Sequence, residues 1–162
     1  MKLLWLADRV HLNKHGRLIL KDNYNALPNG PVPSTTMDYS KNTISDSYSV
    51  KGYNITSTKE FDAQYFSDSD LEVMNFIWEK FGQYNQYQLR DLSHKFPEWL
   101  RYEKELNDNS LPNSYNIVMD DFFINPNIER FDDVFSIEKS EISKSHYRSY
   151  NAIQSNLNEQ CL

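Results

Sequence analysis

The sequence predicts a mainly α domain with a small β component (α+β): a compact helical domain carrying a short hairpin and a C-terminal amphipathic helix. Three observations carry this reading. Residues 1–14 are apolar on nearly every side of a helix, the pattern of a helix that runs through a core. Leu71, Met74, Ile77, Trp78 and Phe81 recur at spacings of three and four. Only 4 Gly and 6 Pro in 162 residues argue against a linker-rich chain and favour one domain.

The elements follow in order. The first helix, residues 1–14, stops at Gly16 after Lys14 and His15, basic residues that suit a helix C-terminus. Arg17-Leu18-Ile19-Leu20 reads as an extended piece and residues 22–27 as a second, with a turn at Pro28-Asn29-Gly30-Pro31. A short helix capped by Ser34 or Thr35 runs to about Lys41. Ser47-Tyr48-Ser49-Val50 and Tyr53-Asn54-Ile55-Thr56 alternate around Lys51-Gly52, predicting a hairpin. Ser67 or Ser69 caps the next helix, with Asp70 and Glu72 in its first turn and Gly82 at its end. Further helices are expected at 86–94, at 98–106 after Pro97, and at 119–123 before Asn125-Pro126. In the last segment Ile142, His146, Tyr150, Ile153 and Leu157 share one helical face, which predicts docking on the domain or on a partner. Asp120-Asp121-Phe122-Phe123 is echoed by Phe131-Asp132-Asp133-Val134-Phe135, but two short matches do not make a repeat.

Bulk properties exclude several classes. Thirty-nine per cent hydrophobic residues, including 11 Tyr, 9 Phe and 3 Trp, supply a core. A mean hydropathy of -0.74 demands much solvated surface. The net charge of -6 disfavours unaided nucleic-acid binding, which needs clustered Lys and Arg. The charge is uneven: residues 1–21 carry net +4 and residues 82–162 net -5. Chance clustering on an acidic protein accounts for this, as does an acidic surface that attracts a basic partner. No run of about 18 apolar residues exists, so no membrane span is expected. Asp8-Arg9 interrupt the N-terminal apolar run and no small-residue cleavage site follows, so no signal peptide is expected. The one cysteine, Cys161, makes no intrachain disulfide, which suits a reducing, cytoplasmic setting.

Two blocks of residues resemble a known family. The first is Lys2-Leu3-Leu4-Trp5-Leu6-Ala7-Asp8-Arg9 with His11, Gly16 and Gly30-Pro31-Val32-Pro33-Ser34. The second is Phe66-Ser67-Asp68-Ser69-Asp70-Leu71-Glu72 with Leu89, Leu92-Ser93-His94 and Pro97-Glu98-Trp99. Their order and spacing are similar to the Panacea domain, the SocA-like antitoxin domain also found in phage- and mobile-element-associated proteins. The resemblance covers residues 1–123 and leaves 124–162 as a C-terminal extension. It implies a mainly helical, non-enzymatic bacterial antitoxin that neutralises a cognate toxin protein by direct binding. It also implies, for one kind of member, an adaptor role that delivers the toxin to a Clp-type protease. It implies no catalytic residue and no cofactor. The family usually has a helix before the Lys-Leu-Leu motif, where this sequence begins, and residues 42–65 are more polar than its pattern. A homo-oligomer stays open, as does an accessory protein that uses the same domain to block a host factor.

Each candidate site also has a plain structural role. Gly30, Pro31, Val32 and Pro33 form a candidate docking loop, because prolines limit loop entropy; the alternative is a rigid turn between strand and helix. Trp99 is a candidate partner anchor or a core residue. Tyr84, Tyr87 and Tyr102 make a candidate aromatic patch near it, and Tyr150 lies on the C-terminal helix. Asp8 with His11, and Asp91 with His94, each sit three apart on predicted helices. Two such pairs on facing helices would hold a metal and support a metal-dependent enzyme. The alternative is that each histidine bonds a nearby carboxylate within a packed helix. No G-x-S-x-G and no phosphate-cradling glycine loop is present. Residues 86–106 loosely outline a helix-turn-helix, but the second helix is as acidic as it is basic.

Overall fold

The computed structural model describes residues 1–41, 45–52, 54–131, 134–135 and 137–160; the side chains of 130, 137 and 155–160 stand outside that description. Tyr53, Asp132, Asp133 and Cys161 therefore lie outside the described residues, as does the Leu157 side chain. The architecture is α+β and mainly helical, as the periodicity predicts.

Helix α1 (Lys2–His15) runs through the centre, with Trp5 to Asn13 buried without interruption. Gly16 ends it with φ 70° and donates its N–H to Leu12 O at 2.9 Å. Residues 17–20 form no strand. They wrap instead around the buried Asp8 carboxylate, which accepts the N–H groups of Ile19 and Leu20 and the Tyr24 hydroxyl. Buried carboxylates need such partners, and this one takes the local backbone that a sheet would have used.

β1 (Tyr24–Leu27) and β2 (Gly30–Pro33) form an antiparallel hairpin in which Leu27 faces Gly30. The expected docking loop is thus a strand, and all four of its residues are buried. β2 lies at the edge of a three-stranded sheet in the order β2-β1-β5, which is where a strand tolerates proline. β5 (Tyr115–Asn116) was not legible in the sequence; two residues carry no periodicity. Helix α2 (Ser34–Lys41) follows, then the hairpin β3 (Tyr48–Lys51) and β4 (Asn54–Ser57).

Helix α3 (Asp68–Phe81) has a capping box: Ser67 Oγ accepts from Asp70 N, and Asp70 Oδ2 accepts from Ser67 N at 2.9 Å. Its buried face is Asp70, Val73, Ile77 and Phe81. Trp78, on the predicted apolar stripe, is 62% exposed, and its indole lies over Gly82, where an added Cβ would come within 2.9 Å of the ring. α4 (Gln86–Ser93) is capped by Asn85. The single helix expected over 98–106 is two, α5 (Pro97–Leu100) and α6 (Glu103–Leu106). The break falls at Tyr102, which donates its hydroxyl to Asn116 O at 2.8 Å and stacks on Tyr115. A 3₁₀ turn spans Met119–Phe123 and another Glu129–Phe131.

α7 (Ile137–Gln160) packs on α1 chiefly through serines, and His146 is the member of the predicted stripe that comes up against the end of α1. Ser140 Oγ donates to Asn13 Oδ1 at 3.0 Å and Ser143 Oγ donates to Asn13 O at 2.7 Å. A Cβ on Gly16 would sit 2.9 Å from the His146 Cβ and 3.2 Å from Ser143 O, so the glycine permits the close approach. Ile142 and Ile153 face outward, more than half exposed. Polar groups at the end of α1 demanded hydrogen bonds, and serines met that demand where isoleucines could not.

One core joins these elements: Trp5, Leu6, Val10 and Leu12 from α1 meet Ile77, Phe81, Phe96 and Phe122. Phe131, Val134 and Phe135 belong to the same core, and Phe131 stacks on Phe81 with ring centroids 5.1 Å apart. Among the described residues, no helix is long and apolar enough to cross a membrane.

Candidate interaction surface

The site-forming residues group around the N-terminal turns of α1. On one side, Leu3, Leu4 and Ala7 face Leu71, Met74 and Trp78 of α3, with Phe61 at the rim. The groove between them encloses about 770 Å³. Phe61 is 68% exposed, so two large aromatic surfaces stand in water beside aliphatic walls. On the other side, Lys2, Leu3, Asn29, Tyr87, Leu89 and Arg90 line a cavity of about 520 Å³. Leu3 belongs to both.

α1 is tied to α5 by a buried ion pair. Arg9 Nε donates to Glu98 Oε1 at 2.7 Å, and both side chains are fully inaccessible. Arg9 also donates to Ile124 O at 2.8 Å, and its guanidinium lies 4.6 Å from the Phe96 ring and 4.5 Å from the Phe135 ring. Arg101 clamps Asp121 with two hydrogen bonds, fixing the neighbouring turn.

The sequence-selected residues do not form one patch. Gly30 to Pro33 and Trp99 are buried; Trp99 donates its indole N–H to Leu27 O at 2.9 Å and stacks on His94. Tyr84 packs edge-on against Phe81, and Tyr102 is held by Asn116. Tyr87 is 60% exposed and lines the cavity beneath Leu3. Tyr150 is exposed elsewhere, where its hydroxyl accepts from Lys21 Nζ at 3.3 Å.

The two Asp-x-x-His pairs do not converge. Asp8 is occupied by Tyr24 and the backbone, and Asp91 pairs with Arg90 at the surface. His94 lies flat on Trp99 at 3.6 Å. His11 Nδ1 is 2.9 Å from Arg17 O, an oxygen that only accepts, so Nδ1 carries a proton. Its Nε2 is 3.2 Å from Ser69 Oγ and from Asp70 Oδ1. The carboxylate beside His11 is thus Asp70, across the core, not Asp8. Among the described residues, no group of three or more His, Cys, Asp or Glu is placed to hold a metal.

Burial holds the His11, His15 and His94 imidazoles below the usual histidine range, with nearby cations acting in the same direction. A base with a depressed folded pKa takes its proton more readily when unfolded. The stability that the histidines contribute is therefore fully present above about pH 7 and is lost as pH drops through the unfolded value near 6.5. We expect the urea midpoint to fall from pH 7.5 to 5.5 and the fall to shrink in His11→Gln. Comparing the two proteins isolates the imidazole from Asp8 and Glu98, whose pKa values burial raises and which act in the opposite sense. An unchanged slope in His11→Gln contradicts the assignment.

The family model for the SocA-like antitoxin, Panacea domain, matches residues 1–100. The chain belongs to that family. The matched span takes in α1, the β1–β2 hairpin, α3, α4 and α5, and so the whole wall of the groove and the cavity. No curated protein and no solved structure matches the chain. In this Panacea domain, Phe131 and Phe135 come from beyond the matched residues and complete its core. Sequence reasoning missed the Trp78–Phe61 groove. The available signal was the Trp78-to-Gly82 spacing, which lets an indole fold over glycine instead of pointing inward.

Proposed function

We propose that this Panacea domain is a cytoplasmic, non-enzymatic antitoxin that neutralises a cognate toxin protein by stoichiometric binding. Membership in the antitoxin family carries this reading. The exposed face around Leu3 supports it and suggests where the toxin docks: Trp78 and Phe61 present large apolar area above a groove of a size that accepts an apolar helix face. Tyr87 continues this face on the far side of Leu3. Delivery of the bound toxin to a Clp-type protease is a further step that α7 suits, because Ile142, Tyr150 and Ile153 stay exposed while the helix is anchored by its serines.

Growth rescue tests this. The gene adjacent to that of this protein is expressed alone in a bacterium and then together with it. Arrest in the first case, growth in the second and a co-purifying complex are expected. Arrest that persists on co-expression contradicts the reading.

A further inference from the structure

We propose that the cavity between the first turn of α1, the β1–β2 turn and α4 binds a carboxylate attached to an apolar group, with the Lys2 ammonium as counter-ion. The inference does not depend on the antitoxin reading. Lys2 is a wall of the cavity, and its Nζ donates to Pro31 O at 2.8 Å. That bond occupies one of three ammonium donors and fixes the head group against β2. Gly30 and Ser93 close in behind it: a Cβ on Gly30 would lie 2.9 Å from Nζ and 2.2 Å from Ser93 Oγ. Among the described residues, no carboxylate lies within 4.0 Å of Nζ. A partly buried cation that is held from behind and has no carboxylate partner among the described residues is what an anion completes. Burial pulls the Lys2 pKa down to about 7, the same incompleteness seen from the proton's side.

The surroundings narrow the anion. Arg90 also lines the wall, and it already gives two hydrogen bonds to Asp91 Oδ1, at 2.9 and 2.7 Å. Lys2 is therefore the side-chain cation of the wall that no described carboxylate holds, and the apolar area around it suits an anion carried on an apolar group better than bare phosphate. Leu3, Leu89 and the Tyr87 ring supply apolar walls for the group that bears the carboxylate. A polypeptide C-terminus ending in an apolar residue has this chemistry, and so does a small aliphatic acid.

Calorimetric titration of the full chain separates the outcomes. The probes are acetyl-Ala-Ala-Leu as free acid, the same peptide amidated, hexanoate and inorganic phosphate. The free acid is expected to bind about tenfold or more tightly than the amide, since a charge-assisted bond is lost in the latter. Lys2→Met, which replaces the ammonium by an apolar chain of similar length, loses the same factor. Gln86→Glu places a second carboxylate at the exposed mouth, suits the first turn of α4, and weakens binding in a protein that still folds. Peptide binding tighter than hexanoate assigns a chain terminus; equal binding assigns a small acid. Equal affinity for acid and amide, no saturation by any carboxylate at millimolar concentration, phosphate binding as tightly, or unchanged affinity in Gln86→Glu overturns the proposal.

Discussion

Glu98→Ala lowers the unfolding free energy by about 3–5 kcal/mol in urea denaturation. The reason is the partner left behind. Arg9 is fully buried, its guanidinium sandwiched between Phe96 and Phe135, and Glu98 is the carboxylate it meets at 2.7 Å. Burial alone weakens the hold of Arg9 on its proton, and Glu98 opposes that. Without the carboxylate an uncompensated cation remains in the core, and its bond to Ile124 O does not neutralise it. The double variant Arg9→Met, Glu98→Leu is expected to recover most of the loss, because apolar isosteres of a buried pair pack well. A loss below about 1 kcal/mol for Glu98→Ala, the range of an exposed pair, contradicts the role given to this contact.

Gly30→Ala is the second large effect, about 2–5 kcal/mol from two sources together. Gly30 has φ 98°, a conformation that a side chain strains. Independently, the new Cβ would meet Ser93 Oγ at 2.2 Å and Lys2 Nζ at 2.9 Å. Ser93→Ala in the same chain removes the first clash and leaves the backbone strain, so it is expected to restore part of the stability. Full restoration in the double variant, or a stable single variant, contradicts this division. Because Gly30 closes the β1–β2 turn against α4, the same substitution displaces the wall that holds Lys2.

Elements with several turns of periodicity were legible in advance. α1, α3 and α4 follow from apolar spacing, caps and stop residues, and Ser67 caps α3 as its serine predicts. The β3–β4 hairpin follows from alternation around a glycine. What failed to show was set by contacts distant in sequence. β5 exists because Asn25 and Ala26 of β1 offer an open edge. The break between α5 and α6 follows from Tyr102 reaching Asn116. The outward turn of Ile142 and Ile153 follows from Asn13 and Gly16 at the end of α1. The candidate site was least legible, because prolines and aromatics look alike whether they pack or bind. Pro31, Pro33 and Trp99 pack, whereas Trp78 and Phe61 are the exposed ones.

We propose direct binding of a toxin through the face around Leu3. It is tested by the affinity of the co-purified toxin for wild type and for Trp78→Ala, whose exposed indole contributes little to the fold. Removing an interface tryptophan at a binding hot spot costs about 2 kcal/mol or more, roughly a thirtyfold rise in Kd. That rise, with an unchanged urea midpoint, is the predicted result. An unchanged Kd with the toxin still bound places the interface elsewhere and contradicts the account.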